Sequence, residues 1–317
     1  MFRRMAATAD VVLENFRPGT LEKWGLGFDD LQRVNPKLVM LRISAYGQTG
    51  PARFKPGFAR IAHAFSGLAY LAGEPGRLPV MPGSTSLADY VSGIWGAIGV
   101  LLALRARETS GIGQYIDLGL YESIFRILDE IAPAYDTFGF VRERMGADTV
   151  NIVPHSHYRT ADQRYVALAC SNDKMFHRLA NVMGRPELAS DSRYAMMAAR
   201  LERRAEVNGI VADWIASLPL HDVLAKCEAG EVPCGALYSI ADIFEDEQYA
   251  ARENFTRVAD PRVGTLVIPS AIPRMSETPA TFKHLGPALG AHNAEVYSGI
   301  LGLNEEDIGR LRECGVI

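Results

Sequence analysis

The feature that most constrains this chain is the apolar run from Tyr90 to Leu104, which carries no charge before Arg105. Tyr90, Val91, Ile94, Trp95, Ile98, Leu101, Leu102 and Leu104 fall on most faces of a helix, the pattern of a helix buried inside a larger protein. Ser92, Gly93, Gly96, Ala97 and Gly99 are small enough to let a second backbone come close. Each glycine costs about 1 kcal/mol of helix propensity relative to alanine, so packing must compensate. Its most apolar part, Ile94–Leu104, is too short to span a bilayer. Just before it runs Gly83-Ser84-Thr85-Ser86-Leu87-Ala88-Asp89. Asp89 reads locally as a helix N-cap, because aspartate accepts hydrogen bonds from the first free amides. A carboxylate there also sits in positive potential and can attack an acyl carbon. The local motif favours the cap, and only the rest of the chain can reverse that.

With 317 residues, length sets an expectation of about two domains at ~150 residues each. Hydrophobic residues make up 48% and charged residues 22%, the balance of a packed protein rather than a disordered one. The net charge is -4, with no basic block and no lysine and arginine stripe interleaved with aromatics, which argues against a nucleic-acid partner. Cys170, Cys227, Cys234 and Cys314 form no CxxC pair and have no histidine at ligand spacing, so no metal is expected. They read as reduced thiols. Met1-Phe2-Arg3-Arg4-Met5 leads into no apolar h-region. A cytoplasmic protein without a membrane partner is expected.

In chain order, Asp10–Leu13 reads as a strand that starts almost at once, which suggests a chain beginning part-way through a larger fold. Thr20 opens a short helix, Asp29–Val34 makes another, and Leu38–Ser44 is a second strand running into the glycine-rich Ala45–Pro51. A helix is expected over Ala59–Leu71, a strand over Tyr115–Leu118 and a helix over Leu120–Ile131 that ends at Pro133. This alternation predicts an α/β fold with a parallel sheet. No GxGxxG or GxxxxGK[ST] links a strand to a helix, so neither a dinucleotide fingerprint nor a P-loop is present. The pattern weakens from Ala134 to about Pro154, a linker. Beyond it, Tyr165–Cys170, helices through Met175–Leu218, and extended Val232–Leu237 make a smaller α+β module. A strand pair over Thr256–Val258 and Thr265–Ile268, a proline-rich coil from Pro269 to Pro287 and two terminal helices complete the chain. That coil is long for a compact domain.

Several segments together resemble the class III CoA-transferases, the formyl-CoA and carnitine CoA-transferase group. Val12-Leu13-Glu14-Asn15-Phe16-Arg17-Pro18-Gly19 looks like the family's ENFRPG segment, and Leu41–Pro51 like its SxxGxxGP stretch. Ala62–Gly67 and Gly73-Glu74-Pro75 are similar to its AQAMSG and TGEP runs. Leu87-Ala88-Asp89 with Gly93 resembles its DxxxG site, and Gly111–Asp117 its GRGQxVD turn. Val232–Gly235 and Ile240–Gln248 resemble its VPxGPVxxxxEVFxDPQ region. No single motif is specific, but their shared order from Asp10 to Ile317 makes chance agreement improbable.

The resemblance implies a Rossmann-like parallel-sheet domain over residues 1–140 that binds CoA and is incomplete at its N-terminus. It implies a small α+β domain over 141–253, and a segment over 254–317 that returns to the large domain. Family members form interlocked dimers, so an intertwined homodimer is expected, and its threading would account for the proline-rich coil. Asp89 matches the family's nucleophile, which exchanges CoA between an acyl-CoA thioester and a small carboxylic acid, dicarboxylates included, through covalent aspartyl intermediates. Coenzyme A thioesters are then substrates, and no permanently bound cofactor is implied. Asn15, Phe16 and Arg17 match positions on a loop that contacts the nucleotide end of CoA. Lys23 and Lys55 are further phosphate candidates, each weighed against a plain solvated lysine.

His63 and the loop residues Ser171 and Asn172 are weak candidates for the substrate pocket. His155 and His157 precede the second module and carry no assignment. The chain departs from the family at Ala59 and His63, where an acidic residue and a glutamine are usual. Ser171-Asn172-Asp173 lacks the glycine run of formyl-CoA transferases, which argues against formyl or oxalyl chemistry. The family also carries a longer N-terminal segment. Two other readings stand beside the transferase: an acyl-CoA racemase of the same fold, which needs a histidine beside Asp89, with His63 as the candidate, and an inactive CoA-binding or dimerising remnant.

Overall fold

The computed structural model describes every residue except Pro82, Ser84 and Lys283; Ser84, in the run before Asp89, thus lies outside the described residues. The chain forms two units: Met1–Gly146 with Asn293–Ile317, and Ala147–His292.

The first unit opens with helix α1 (Phe2–Ala6), strand β1 (Val11–Glu14), helices α2 (Thr20–Lys23) and α3 (Phe28–Val34), and strand β2 (Val39–Ser44). Helices α4 (Ala59–Phe65), α5 (Leu68–Leu71) and α6 (Leu87–Ser110) come next, then strand β3 (Tyr115–Gly119) and helices α7 (Leu120–Phe125) and α8 (Ile131–Phe138). The three strands pair in the order β1-β2-β3, all parallel, with Val11 opposite Val39 and Met40 opposite Tyr115. Parallel pairing demands crossovers, and α2, α3 and then α4–α6 supply them. The expected α/β architecture is therefore present. One layer packs Ala6, Leu21 and Leu31 on Val12, Leu38 and Met40.

The other layer is α6, lying against β2 and β3. Its buried residues are Ala88, Ser92, Gly96 and Ala103, all small. A Cβ at Gly96 would sit 2.8 Å from Leu41 Cδ2, so the sheet comes as close as a glycine allows. The expectation of a helix buried on most faces is corrected here, since Leu101 and Leu102 are 67% and 66% exposed, and Tyr90 and Ile94 are exposed with them. The length argument is corrected too. The whole helix has 24 residues and is long and apolar enough, by length and composition, to cross a bilayer.

Two predicted helices are each broken. Gly67, at φ 94°, ends the Ala59–Leu71 helix after Ser66 and restarts it as α5. The Leu120–Ile131 helix stops at Phe125, and Pro133 falls in the first turn of α8 rather than at a terminus. Proline is tolerated there because the N–H it lacks has no intrahelical partner anyway.

The second unit carries an antiparallel sheet in the order β4-β5-β6, formed by β4 (His155–Arg159), β5 (Tyr165–Ala169) and β6 (Cys234–Ala236). Helices α9 (Asp173–Val182), α10 (Met197–Glu202), α11 (Arg204–Ala216) and α12 (Leu220–Ala229) build its core: Phe176, Leu179, Val211, Ile215 and Val223 pack with Val166 and Leu168. Fully buried Arg200 is satisfied in this core. It donates to the carbonyls of Val153, Tyr194 and Ala195 and to Asp173 Oδ1, and lies 4.4 Å over the Phe176 ring. Helices α13 (Ile240–Glu245) and α14 (Glu247–Ala251) lead to the antiparallel hairpin β7 (Phe255–Asp260) and β8 (Gly264–Pro269). After a π-helical turn at Ala294–Ile300, helix α15 (Glu305–Glu313) closes the chain with Ile308 buried. Asn304 caps α15 by accepting from the Asp307 N–H at 2.8 Å.

Candidate active site

Asp89 is exposed and lies in the first turn of α6, not at its N-cap, which is Ser86. Its own N–H donates to Ser86 O at 2.9 Å, which places Asp89 inside the helix rather than at the N-cap position the local motif favoured. A helix of this length places about half a positive charge at its N-terminus and stabilises negative charge in the first turn. Ser86 makes no side-chain cap. The acceptor comes instead from α4: the Ala88 N–H donates to His63 Nε2 at 3.0 Å. His63 is fully buried, as is Ala88. Burial holds the imidazole below its usual pKa of 6.5; nearby Asp89 acts in the opposite sense, and Arg60 adds to the lowering. Ser92 Oγ donates to Ser123 Oγ at 2.9 Å, which ties α6 to α7 one turn beyond Asp89.

A second constellation forms at the end of β1. Glu14 is buried and accepts from Arg42 Nε at 2.7 Å and from the Phe16 N–H at 2.8 Å. Arg42 also reaches Glu22 at 2.8 Å. Burial by itself would depress the guanidinium, but Glu14 and Glu22 outweigh it and the pKa is raised. The pair thereby fixes the Asn15-Phe16-Arg17 loop to β2. Phe16 stays exposed, edge-on to exposed Trp24 with ring centroids 5.4 Å apart. Asn15, Arg17 and Lys23 are exposed around this aromatic pair, and among the described residues neither Arg17 nor Lys23 forms an ion pair. Lys55 is exposed on a separate turn after the glycine-rich loop. That loop is pinned from β3, where Asp117 Oδ1 accepts the Gln48 N–H at 2.8 Å.

Ser171 and Asn172 belong to the second unit, both exposed, and Asn172 caps α9 by accepting from the Met175 N–H at 3.0 Å. His155 and His157 lie on β4, a strand that sequence reasoning did not find. They line a cavity of about 350 Å³ with Thr149, Ser156 and Cys234. A cleft of about 690 Å³ runs beside Trp95, Tyr121, Glu122 and Arg126 in the first unit, and Asp89 is not among its lining residues.

Sequence reasoning missed the Glu14–Arg42 pair, the Asp117 anchor and the His63–Ala88 bond. Only the first left a signal. Arg42 interrupts an otherwise apolar strand, and a charge in such a place requires a buried partner. His63 and Ala88 are 25 positions apart, and nothing in either local pattern joins them.

Comparison with known proteins adds an independent line. The model of CoA-transferase family III matches residues 1–293. Over its whole length the chain is 52% identical to the succinyl-CoA–L-malate CoA-transferase alpha subunit of Chloroflexus aurantiacus, covering 74% of that protein. It is 53% identical to the beta subunit, covering 79%. A crystal structure of a CaiB/BaiF family protein from Brucella suis superposes with a TM-score of 0.80 at 32% identity, over 94% of this chain and 77% of that one. With an exposed aspartate at the head of α6 and a guanidinium-braced loop after β1, this chain belongs to CoA-transferase family III, the class III CoA-transferases.

Proposed function

We propose that the protein moves CoA from an acyl-CoA thioester to a small dicarboxylic acid through covalent intermediates on Asp89. The observation that carries the reading is the exposed Asp89 carboxylate in the first turn of α6, relieved of capping by His63. An Asp89 oxygen attacks the thioester carbonyl, the C–S bond breaks, and CoA leaves as thiolate, giving a mixed anhydride. The thiolate then attacks the aspartyl carbonyl; the donor acid departs as carboxylate and an aspartyl–CoA thioester remains. The incoming carboxylate repeats the first step on that thioester, and the thiolate takes the new acyl group, restoring Asp89. Every step exchanges one carboxylate or thiolate for another, so no redox partner is consumed. The positive end of α6 favours the developing negative charge through its dipole, while the Ala88, Asp89 and Tyr90 N–H groups are already engaged by His63 Nε2 and Ser86 O.

The dicarboxylate assignment rests on the relatives that share half of this sequence, whose names pair succinyl-CoA with L-malate. The nucleotide end of CoA is assigned to the Asn15–Arg17 loop, with adenine against Phe16 and Trp24 and phosphates at Arg17 and Lys23, and Lys55 as an outlying candidate. Ser171 and Asn172 remain candidates for the acyl side. The active form is read as an assembly of two such chains, and a cytoplasmic location is consistent with these substrates. The racemase reading is weaker, because His63, the histidine near Asp89, is fully buried and its Nε2 is already engaged.

The test is to incubate the protein with succinyl-CoA, quench with hydroxylamine and map the product by mass spectrometry. A hydroxamate at Asp89 is expected, and Asp89→Asn should lower kcat by about 10⁶-fold, the scale of losing a nucleophile. Absence of label together with deuterium exchange at the α-carbon of the acyl group would shift the assignment to a racemase.

A further inference from the structure

The first amides of a helix have no intrahelical acceptor, and in α6 the acceptor for Ala88 is an imidazole from another helix. An imidazole nitrogen accepts only when it is bare, so the neutral ring carries its proton on Nδ1. Among the described residues Nδ1 has no partner, and the ring is fully enclosed. The side chain is thus committed to one contact, one residue before Asp89. Protonation at Nε2 destroys that contact, because the N–H of Ala88 would then face a second N–H.

We propose that His63 is a positioning residue for the nucleophile: its bare Nε2 substitutes for a helix cap, and Asp89 is held for attack only while the ring is neutral. This rests on the reading of Asp89 as nucleophile. His63 is fully enclosed, so in this reading it acts through the helix start.

The ionisable groups around the ring support the direction. Arg60 lies on α4 itself. Among the elements packed against α4, α6 brings Asp89 and Tyr90, α7 brings Tyr121 and Glu122, and α5 brings Tyr70. Phenols carry no charge in the acid range. The Glu122 carboxylate is taken up by the Gly119 N–H at 2.7 Å. Asp89 is left as the group that favours the imidazolium, and burial outweighs it. The native pKa lies below 6.5, so the contact is complete above that value and is lost as pH falls through the lowered one.

Three measurements on the full chain decide the matter. His63→Leu should lower kcat about tenfold, equivalent to about 1.4 kcal/mol at the transition state, with the KM for acyl-CoA changing less than about twofold. His63→Gln offers an amide oxygen as acceptor and should recover most of that loss. Protonation of the Asp89 carboxylate itself removes activity in every variant, so the readout is the difference: kcat of the wild type should fall more steeply in acid than kcat of His63→Gln, which lacks the imidazole. Equal losses in the two variants, or acid limbs of the same shape in the wild type and His63→Gln, would overturn the proposal.

Nitrogen-15 NMR of the unsubstituted protein gives a readout independent of activity and of how the variants fold. An Nδ1-protonated ring that does not titrate at the usual value is expected; an Nε2-protonated or freely titrating ring refutes the assignment. Should hydroxylamine fail to label Asp89, the catalytic reading falls, while the NMR result still judges the contact.

Discussion

The two units bury apolar surface in different ways. In the second, one continuous core gathers α9, α11, α12 and the face of the antiparallel sheet, and large side chains such as Phe176, Leu179 and Ile215 are enclosed. In the first, the buried residues fall into two smaller clusters on either side of the sheet, and the longest helix buries only small residues. Its side chains Tyr90, Ile94, Trp95, Ile98, Leu101 and Leu102 are exposed in this chain. A contiguous exposed apolar face of this kind marks an interaction surface more often than an accident. The contrast teaches that the second unit encloses its large apolar side chains, whereas the first places small residues of α6 toward its sheet and leaves large ones exposed.

Mutations can break or sharpen that contrast, and calorimetry with size-exclusion chromatography reads them. Phe176→Ala in the second unit should cost about 3–5 kcal/mol, because the cavity sits in a closed core and Arg200 loses the ring beneath it. Gly96→Val should cost about 1–3 kcal/mol, since even a Cβ there comes 2.8 Å from Leu41. Gly93→Ala reverses the sign. A Cβ at Gly93 meets nothing within 4 Å, so the gain in helix propensity, about 1 kcal/mol, should appear as a higher unfolding temperature. Leu101→Ser should change the stability of the isolated chain by less than about 0.5 kcal/mol, as surface substitutions do, and, if the proposed two-chain assembly uses this face, lower the apparent mass in size-exclusion chromatography relative to the wild type. A loss of several kcal/mol at Leu101 with no change in assembly would mean that this face is buried within the chain, and the contrast would fail.

Much of the fold was legible from local pattern. β2 and β3 were placed within a residue or two because β-rich apolar runs end at turn residues, and α15 because Asn304 announces its start. β4 was not legible. His155-Ser156-His157-Tyr158-Arg159 is polar along most of its length, and it becomes a strand by pairing with β5, not by its own propensity. The break at Gly67 was missed because a glycine inside a helical pattern need not take the left-handed conformation it adopts here, at φ 94°, and the periodicity does not mark the stop after Phe125. In the site, Asp89 was found through the resemblance of its surroundings, while its own residue type pointed first to a cap. The structure gives that role to a side chain from a different helix.

The amino-acid order by itself determined the alternation of strands and helices, the parallel sheet that such alternation requires, and the aspartate at the head of an apolar helix. These depend on periodicity and on residue types a few positions apart. Only the tertiary structure decided which face of α6 is buried, that Arg42 and Glu14 brace the loop after β1, and that His63 supplies the acceptor beside Asp89. Each of these pairs residues 25 or more positions apart, or chooses among equally apolar faces, and such choices are made by close packing and by the cost of leaving a buried polar group unpaired.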